Sequence, residues 1–402
     1  MAKRREFGRV RQLPSGRWQA RYPLDDGALA TAANTFETKR EAVQYLDRVS
    51  TDMQRGEWTD PRLGLITFGR WSQLWIAGRA NLRPSTKSLY DVLLRHELLP
   101  AFGDVELARI DPAAVRAWFA GPHGKRGPTT VAKAYRLLSA ILRSAFEDGR
   151  IARNPCSLKG AGREPRTEAQ FLTVDDVAGF AETVGPRWRA LVLTAAYTGL
   201  RWGELMGLRR GRVDLLRGTI AVVEQLTEVD GALSFASLKT DASRRTIALP
   251  QFVLEALIQH INTYAEPGPS GLVFPAPEGG PMRRSNFTRR VWIPARAELG
   301  FGGIRFHDLR HTEAAVAIAS GAANPLVLSR RLGHSTTRMT FDRYGHLFEG
   351  ADRALAEALD GLGRTARYEP VPKPIPISKG HVKFRYPCSV VAPVPVLQVG
   401  VG

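Results

Sequence analysis

Six side chains in the C-terminal half of the sequence have types and an order suited to one piece of chemistry. Tyr344 lies in RMTFDRYGHL, ten positions after His334 in RRLGHST. Upstream come His307 and Arg310 in FHDLRHT, Lys239 in SLKTDASRR and Arg201 in TGLRWGEL. A phenol is a nucleophile once its proton is removed, and with an unperturbed pKa of about 10 it needs help to lose it. A guanidinium matches a phosphate bidentately and stays charged at every working pH. An imidazole can hydrogen-bond a non-bridging phosphate oxygen, and a lysine can lend a proton to a leaving 5′ oxygen. Gathered in one place, the six would let Tyr344 attack a DNA phosphate and would stabilise the charge that develops on it. Each alone has a blander explanation: a half-buried tyrosine, an idle turn lysine, a surface arginine after a glycine. Their joint occurrence carries the reading.

Local sequence says how each group would be presented. Arg201 follows Gly199, which ends an apolar helix over 191–198, and a helix junction can point an arginine into a cleft. Glu204, three positions on, either orients Arg201 through a salt bridge or is a first-turn acid favoured by the helix dipole. Lys239 belongs to a β-turn between two short strands. His307 and Arg310, three apart, share one side of a helical turn, which sets an imidazole and a guanidinium against the same phosphate; Asp308 is a first-turn acid. His311 is rotated by about 100° from Arg310 and is read as structural. His334 follows Gly333 at another element boundary. The His307/His311 spacing lacks a third ligand nearby and the central glutamate of a zinc protease, so no metal and no cofactor are expected.

Three blocks and a tail must position these groups. The first, residues 1–60, carries seven basic residues and one acidic over residues 1–21. GRVRQLPSGRWQARYPLDDG reads as a hairpin turning at Pro14-Ser15-Gly16, with Trp18, Ala20 and Tyr22 alternating. Residues 35–37 are expected as a third strand, and 39–55 as a helix with Ala42, Val43, Tyr45, Leu46 and Val49 on its apolar face. A small sheet edged with arginine can enter a DNA groove, which makes Arg9, Arg11, Arg17 and Arg21 candidate DNA contacts. Residues 58–65, with Asp60-Pro61 and Gly64, read as a linker.

The second block, 66–157, is helical. Phe68, Trp71, Leu74 and Trp75 keep helical spacing, and Pro84 opens a helix with Leu89, Leu93 and Leu94 on its inner side. Asp111-Pro112 is a cap and first-turn pair, and a helix over 129–147 ends at Gly149. Between residues 65 and 160 there are 15 Lys and Arg against 7 Asp and Glu, which fits a bundle lying on a duplex or a solvated charged face. Lys87, Lys133 and Arg136 are its candidate DNA contacts. After a Gly- and charge-rich linker over 158–166, the third block, 168–350, begins at a Thr173/Asp176 capping box. Helices dominate it, broken by short strands at 219–225, 233–238 and 244–249; a helix after Pro250 carries Leu254, Leu257, Ile258 and Ile261 on one face. The remainder, 351–402, is expected to be a C-terminal helix over 351–362 and a disordered tail from Arg364 with seven prolines.

Composition bounds the class. A chain of 402 residues suggests two or three domains. Its 57 Lys and Arg against 39 Asp and Glu, a net charge of +18, favour a polyanionic partner, although an ordinary basic protein shares that balance. Two cysteines, Cys156 and Cys388, argue against a disulfide scaffold or a cysteine-rich zinc site. MAKRREFGRVRQ has no apolar core behind its charges, so it is not a signal peptide. The apolar stretch 191–200 is short and holds two threonines, which suits a buried helix and not a membrane span. A cytoplasmic protein with no membrane partner is expected.

The stretches TGLRWGEL, SLKTDASRR, HDLRHT, RRLGHST and FDRYGHL, spanning residues 198–347, resemble the tyrosine recombinase (phage integrase) family. The resemblance implies a mainly α, multidomain fold with small β-sheets: a sheet-and-helix arm-type DNA-binding domain, a helical core-binding (SAM-like) domain, and a mixed, mostly α catalytic domain. It implies Arg201, Lys239, His307, Arg310, His334 and Tyr344 as the catalytic set, with Tyr344 the nucleophile and Glu204 supporting the first arginine. It implies site-specific recombination through a 3′-phosphotyrosine that needs neither ATP nor a metal, integrating or excising a phage or mobile element. The implied partners are double-stranded DNA with core and arm attachment sites, three further copies of the chain in a homotetramer, and as accessory factors a host DNA-bending protein and an excisionase. The implied setting is the cytoplasm of a bacterial host, at the nucleoid. An arm domain favours a phage or integrative-element integrase over the shorter chromosome-dimer resolvases, and argues against a type IB topoisomerase-like relaxase. A non-catalytic DNA-binding regulator would have no reason to keep all six groups. Two features depart from the family: Glu313, where a small or apolar residue is usual, which bears on local packing and not on chemistry, and the Pro-rich tail.

Overall fold

A computed structural model describes residues 7–24, 27–32, 34–55, 58, 60–121, 127–165, 170–238, 240–321, 324–348, 356, 357 and 359–361. The chain divides into two units, Met1–Tyr344 and Gly345–Gly402. In the second, a 3₁₀ turn over Gly345–Phe348 and helical residues 356, 357 and 359–361 are described; the rest of the expected C-terminal helix and the Pro-rich tail lie outside the described residues.

The first unit opens with strands β1 (Arg9–Gln12), β2 (Trp18–Pro23) and β3 (Leu29–Thr31), antiparallel and in that order. Strand periodicity sends Ala20, Tyr22 and Ala30 inward, against Ala42, Leu46 and Val49 of helix α1 (Lys39–Gln54). Arg9 pairs with Arg21 and Arg11 with Gln19 on the opposite face. The third strand is therefore not 35–37: Phe36 makes a single bridge to Trp18. The physical reason is that Ala30 supplies the inward side chain beside Tyr22, while the hydroxyl and carbonyl of Thr35 are taken up by Arg17, both at 2.8 Å.

Helices α2 (Phe68–Ala77), α3 (Pro84–Leu93), α4 (Leu99–Phe102), α5 (Pro112–Ala120) and α6 (Pro128–Glu147) follow. Proline stands at the first turn of α3, α5 and α6, where its missing N–H costs nothing, and Asp111 caps α5 through the Ala114 N–H at 2.7 Å. α6 buries Ala134, Leu138, Ile141, Leu142 and Ala145, a run at three- and four-residue spacing, against Phe68, Trp71, Trp75, Leu93 and Leu98. Leu74 and Leu89, expected inside, are exposed: Trp71 and Trp75 fill the inner face of α2, and α3 is buried only at its C-terminal end, at Leu93.

The remaining elements are α7 (Val174–Thr183), α8 (Pro186–Thr198), α9 (Trp202–Met206), β4 (Val213–Asp214), β5 (Thr219–Val222), β6 (Glu224–Val229), β7 (Ala232–Ser237), β8 (Arg245–Ala248), α10 (Gln251–Thr263), α11 (Arg284–Phe287), α12 (Ile293–Glu298), α13 (Asp308–Ala319), α14 (Pro325–Leu332) and α15 (Thr337–Tyr344). Thr173 and Asp176 form the expected reciprocal capping box at 3.1 and 2.8 Å. Strands pair in the order β4-β5-β8, and β6 with β7 as a separate hairpin. α8 is buried on nearly every side and packs against α7, α10 and α13, which is why its sequence shows so little amphipathicity. Phe180 stacks on Trp292 at 4.7 Å, and Trp292 meets Phe306 edge-on at 5.3 Å. This core holds the start of α13, where His307 and Arg310 sit, against the end of α8, where Arg201 follows. Among the described residues no helix is long and apolar enough to cross a membrane.

Candidate active site

The C-terminal turn of α14 organises the site. Its last carbonyls have no partner within the helix and lie at the negative end of the helix dipole. Three guanidinium groups from three other segments take three successive ones. Arg245 Nε donates to the Arg331 carbonyl at 2.7 Å, Arg310 Nη2 to that of Leu332 at 2.6 Å, and Arg201 Nη2 to that of Gly333 at 3.1 Å. Gly333 is left-handed, φ 63°, and a Cβ there would lie 2.9 Å from Arg245 Nη1, so glycine both ends the helix and lets the guanidinium in.

Arg201 follows the left-handed turn at Gly199, φ 62°, and opens α9. Its Nη1 donates to Glu204 Oε1 at 2.8 Å, and its backbone N–H to Oε2 at 2.9 Å. The side chain keeps about a third of its surface exposed, whereas that of Glu204 is 1% exposed. Arg245 grips the same carboxylate, Nη2 to Oε2 at 2.9 Å. Burial alone would raise the Glu204 pKa; the paired Arg245 and Arg201 overcome it and hold the group below the usual carboxylate range. Glu204 fills both expected roles, salt-bridge partner of Arg201 and acid in the first turn of α9.

Arg310 is 4% exposed, its Nη1 donating to the Gly199 carbonyl. Burial, with Arg201 beside it, presses its pKa down to about 9, which leaves it protonated at neutral pH. His307 immediately precedes α13, its ring edge-on to His311 at 5.2 Å. His334 Nδ1 lies 2.8 Å from Thr340 Oγ1. Burial and nearby positive charge push both His307 and His334 down to about 4, so both are neutral imidazoles. Tyr344 ends α15, fully buried, with Oη 2.7 Å from His311 Nδ1. Burial raises the phenol to about 12, against the lowering influence of Arg310 and Arg343.

Arg201, Arg310 and His334 thus converge on one helix end, and His307 and Tyr344 meet through His311. Lys239 lies outside the described residues. Three groups escaped the sequence reading, and a fourth, Glu313, was flagged there only for local packing. Arg245 shares strand parity with the buried Ile247, a period-two signal inside the SLKTDASRR stretch. Arg331, three residues after buried Leu328, had only a weak helical one. His311 was read as structural; it contacts the phenol because the end of α15 brings Tyr344 and Arg343 to its ring, and a helical wheel cannot say which neighbour will arrive. Glu313 is buried, with Oε1 accepting from Arg331 Nε at 2.7 Å. Arg331 also donates to the Tyr197 carbonyl at 2.5 Å, so the ion pair ties α13 and α14 to α8, a packing role as the sequence suggested. Burial pushes the Glu313 pKa up.

Residues 170–350 match the phage integrase family, residues 6–55 the phage integrase N-terminal domain, and residues 67–120 the phage integrase N-terminal SAM-like domain. The prophage phiRv2 integrase of Mycobacterium tuberculosis is 34% identical over 367 residues, covering 89% of this chain and 96% of that protein. The chain belongs to the phage integrase family of tyrosine recombinases. It is a site-specific recombinase, an enzyme that cleaves and rejoins DNA. The integrase of Mycobacterium phage L5 is 30% identical, covering 90% of this chain and all of that one. Among solved structures, the Tn1549 transposon integrase in complex with a circular intermediate DNA has a TM-score of 0.64 at 22% identity, over 73% of this chain and 99% of that one. A lambda integrase dimer bound to a COC′ core site has 0.54 at 17%, over 85% and 96%. Both likenesses are of fold.

The candidate DNA contacts of this integrase are unequally free. Arg9 is exposed on the outer face of the sheet, and Arg11 beside it donates to Gln19 Oε1 at 2.8 Å. Arg21 shares that face but is half-buried. Arg17 is held by Thr35 and by Glu37 at 3.6 Å. Lys87 is exposed on α3. Lys133 and Arg136 both reach Glu164, at 3.8 and 2.6 Å, so a phosphate there would displace a carboxylate.

Proposed function

We propose that this integrase works through Tyr344 as nucleophile, with Arg201, Arg310, His307, His334 and Lys239 as the groups that serve it. The observation that carries the reading is the seating of Arg201 and Arg310 on adjacent carbonyls of α14, directly before His334. Two guanidinium groups fixed side by side supply paired donors for the oxygens of one phosphate. Tyr344 Oη attacks phosphorus; the Oη–P bond forms as the P–O5′ bond breaks, giving a 3′-phosphotyrosine and a 5′ hydroxyl. A neutral histidine or a lysine of the set takes up the phenolic proton, Lys239 gives one to the departing 5′ oxygen, and His307 and His334 hydrogen-bond the phosphate. The 5′ hydroxyl of the partner duplex reverses each transfer, so bond energy is conserved without ATP. Because Tyr344 and Arg310 are covered in the DNA-free chain, duplex docking must uncover them before attack.

Residues 1–60 are the arm-type DNA-binding domain in this reading, 66–157 the core-binding domain, and 168–350 the catalytic domain. Attachment-site DNA is the substrate, a homotetramer the working assembly, and the bacterial cytoplasm its setting. A host DNA-bending protein and an excisionase complete the reaction. The test is a suicide duplex carrying the attachment core of the encoding element. Wild type should form a covalent adduct on a denaturing gel, and Tyr344→Phe should bind the duplex yet form none. An adduct with Tyr344→Phe would overturn the assignment.

A further inference from the structure

The hydrogen bond at Tyr344 Oη has a direction that the neighbouring residue sets. His311 is 3% exposed, with Nδ1 2.7 Å from Tyr344 Oη and Nε2 3.3 Å from Nη1 of Arg343, the residue just before the tyrosine. A guanidinium only donates, so Nε2 must present its lone pair to Arg343. The ring is neutral, since burial first, then Arg343, press its pKa down to about 4. Its single proton therefore sits on Nδ1, pointing at the phenolic oxygen. In this tautomer Nδ1 cannot act as a base toward Tyr344.

We infer that His311 is a catalytic residue of this integrase: a hydrogen-bond donor to the Tyr344 oxygen, fixed in its tautomer by Arg343, that holds this oxygen and stabilises it as a phenolate. The inference deepens the proposed function and rests on Tyr344 being the nucleophile. His311 changes no covalent bond. In cleavage the phenolic proton leaves on the side away from His311, while Nδ1–H remains on the oxygen as it bonds to phosphorus. In joining, the P–Oη bond breaks, its electron pair returns to Oη, and the same N–H meets it there. A buried donor aimed at the atom where charge develops needs no reorganisation at the moment of reaction.

The first test needs no DNA. Full-length integrase labelled with ¹⁵N-histidine, with His311 assigned by its disappearance in His311→Asn, should show a protonated Nδ1 and a bare Nε2 at neutral pH. Arg343→Gln should convert it to a tautomer mixture. A proton on Nε2, or a charged ring, would overturn the inference whatever the fate of the variants. The second test times adduct formation on the suicide duplex, with DNA binding followed by gel shift. His311→Ala should slow the adduct by at least about tenfold with binding retained. His311→Asn, whose amide nitrogen can occupy the Nδ1 position, should stay within about threefold of wild type. Equal rates for Asn and Ala, or a wild-type rate for Ala, would refute the donor role. Should Tyr344→Phe still form an adduct, the nucleophile assignment fails, and the tautomer measurement still judges the contact.

Discussion

Glu204→Gln is the sharpest probe of how the site is held. The carboxylate is 1% exposed and accepts from the Arg201 side chain and backbone and from both Nη atoms of Arg245, at 2.8, 2.9, 2.9 and 3.3 Å. Glutamine keeps the shape, removes the charge and turns an NH₂ toward one guanidinium. Arg201 can recover water, but Arg245, 6% exposed, cannot. Stripping one partner from a buried ion pair costs about 3–5 kcal/mol, and the partial exposure of Arg201 places this case near the lower end. At roughly 2–4 °C per kcal/mol for a domain of this size, the melting temperature should fall by about 6–12 °C. Calorimetry of the full-length chain, following the C-terminal transition, measures it. The sign with pH follows from the depressed folded pKa: Glu204 contributes stability above its unfolded pKa and loses it as pH falls through the lower folded value. The two melting temperatures should therefore converge in acid, below the ordinary carboxylate pKa of about 4.3. A fall under about 2 °C at neutral pH, or a gap of constant size at all pH, would refute the argument.

Three further outcomes are expected. His307, His311 and His334 are pressed from 6.5 to about 4, so the unfolded chain binds more protons between those values. Stability should be complete above the upper one and decline as pH falls toward the lower; urea midpoints that stay flat across that window would contradict it. Gly199→Ala forces a left-handed Cβ to within 2.6 Å of Leu332 Cδ2, so a loss of more than about 1 kcal/mol is expected, read as a lowered melting temperature. Replacing Arg9 and Arg11 together by alanine should reduce the salt slope of arm-site DNA binding by about 2 while leaving core-site binding unchanged; an unaltered slope would take the outer sheet face off the DNA.

Much of the local structure was legible. The Thr173/Asp176 box, the Asp111 cap, the turn at residues 14–16 and the helix stops at Gly149, Gly199 and Gly333 are written within a few residues of where they act. Where patterns competed, the sequence misled. Residues 35–37 alternate as well as 29–31 do, and only Ala30 fits beside Tyr22. Leu74 and Leu89 are as apolar as their buried neighbours, and helical spacing alone does not say how wide the inner face will be.

Within the candidate site, residue types and order picked out Arg201, His307, Arg310, His334 and Tyr344 as candidates, and the structure brings Arg201, Arg310 and His334 to one helix end, with Tyr344 and His307 each against His311. They could not reveal that Arg245 shares Glu204 with Arg201, or that His311 faces the phenol. Those facts depend on contacts between segments far apart in the chain, 132 residues for Arg201 to Gly333 and 33 for His311 to Tyr344. Capping, helical period and left-handed glycines are short-range properties, set by the backbone's own bonding needs, so the linear sequence determines them. Which guanidinium takes which carbonyl at the end of α14, and which side of His311 carries the proton, follow from packing several segments around one buried helix, and only the tertiary structure decides that.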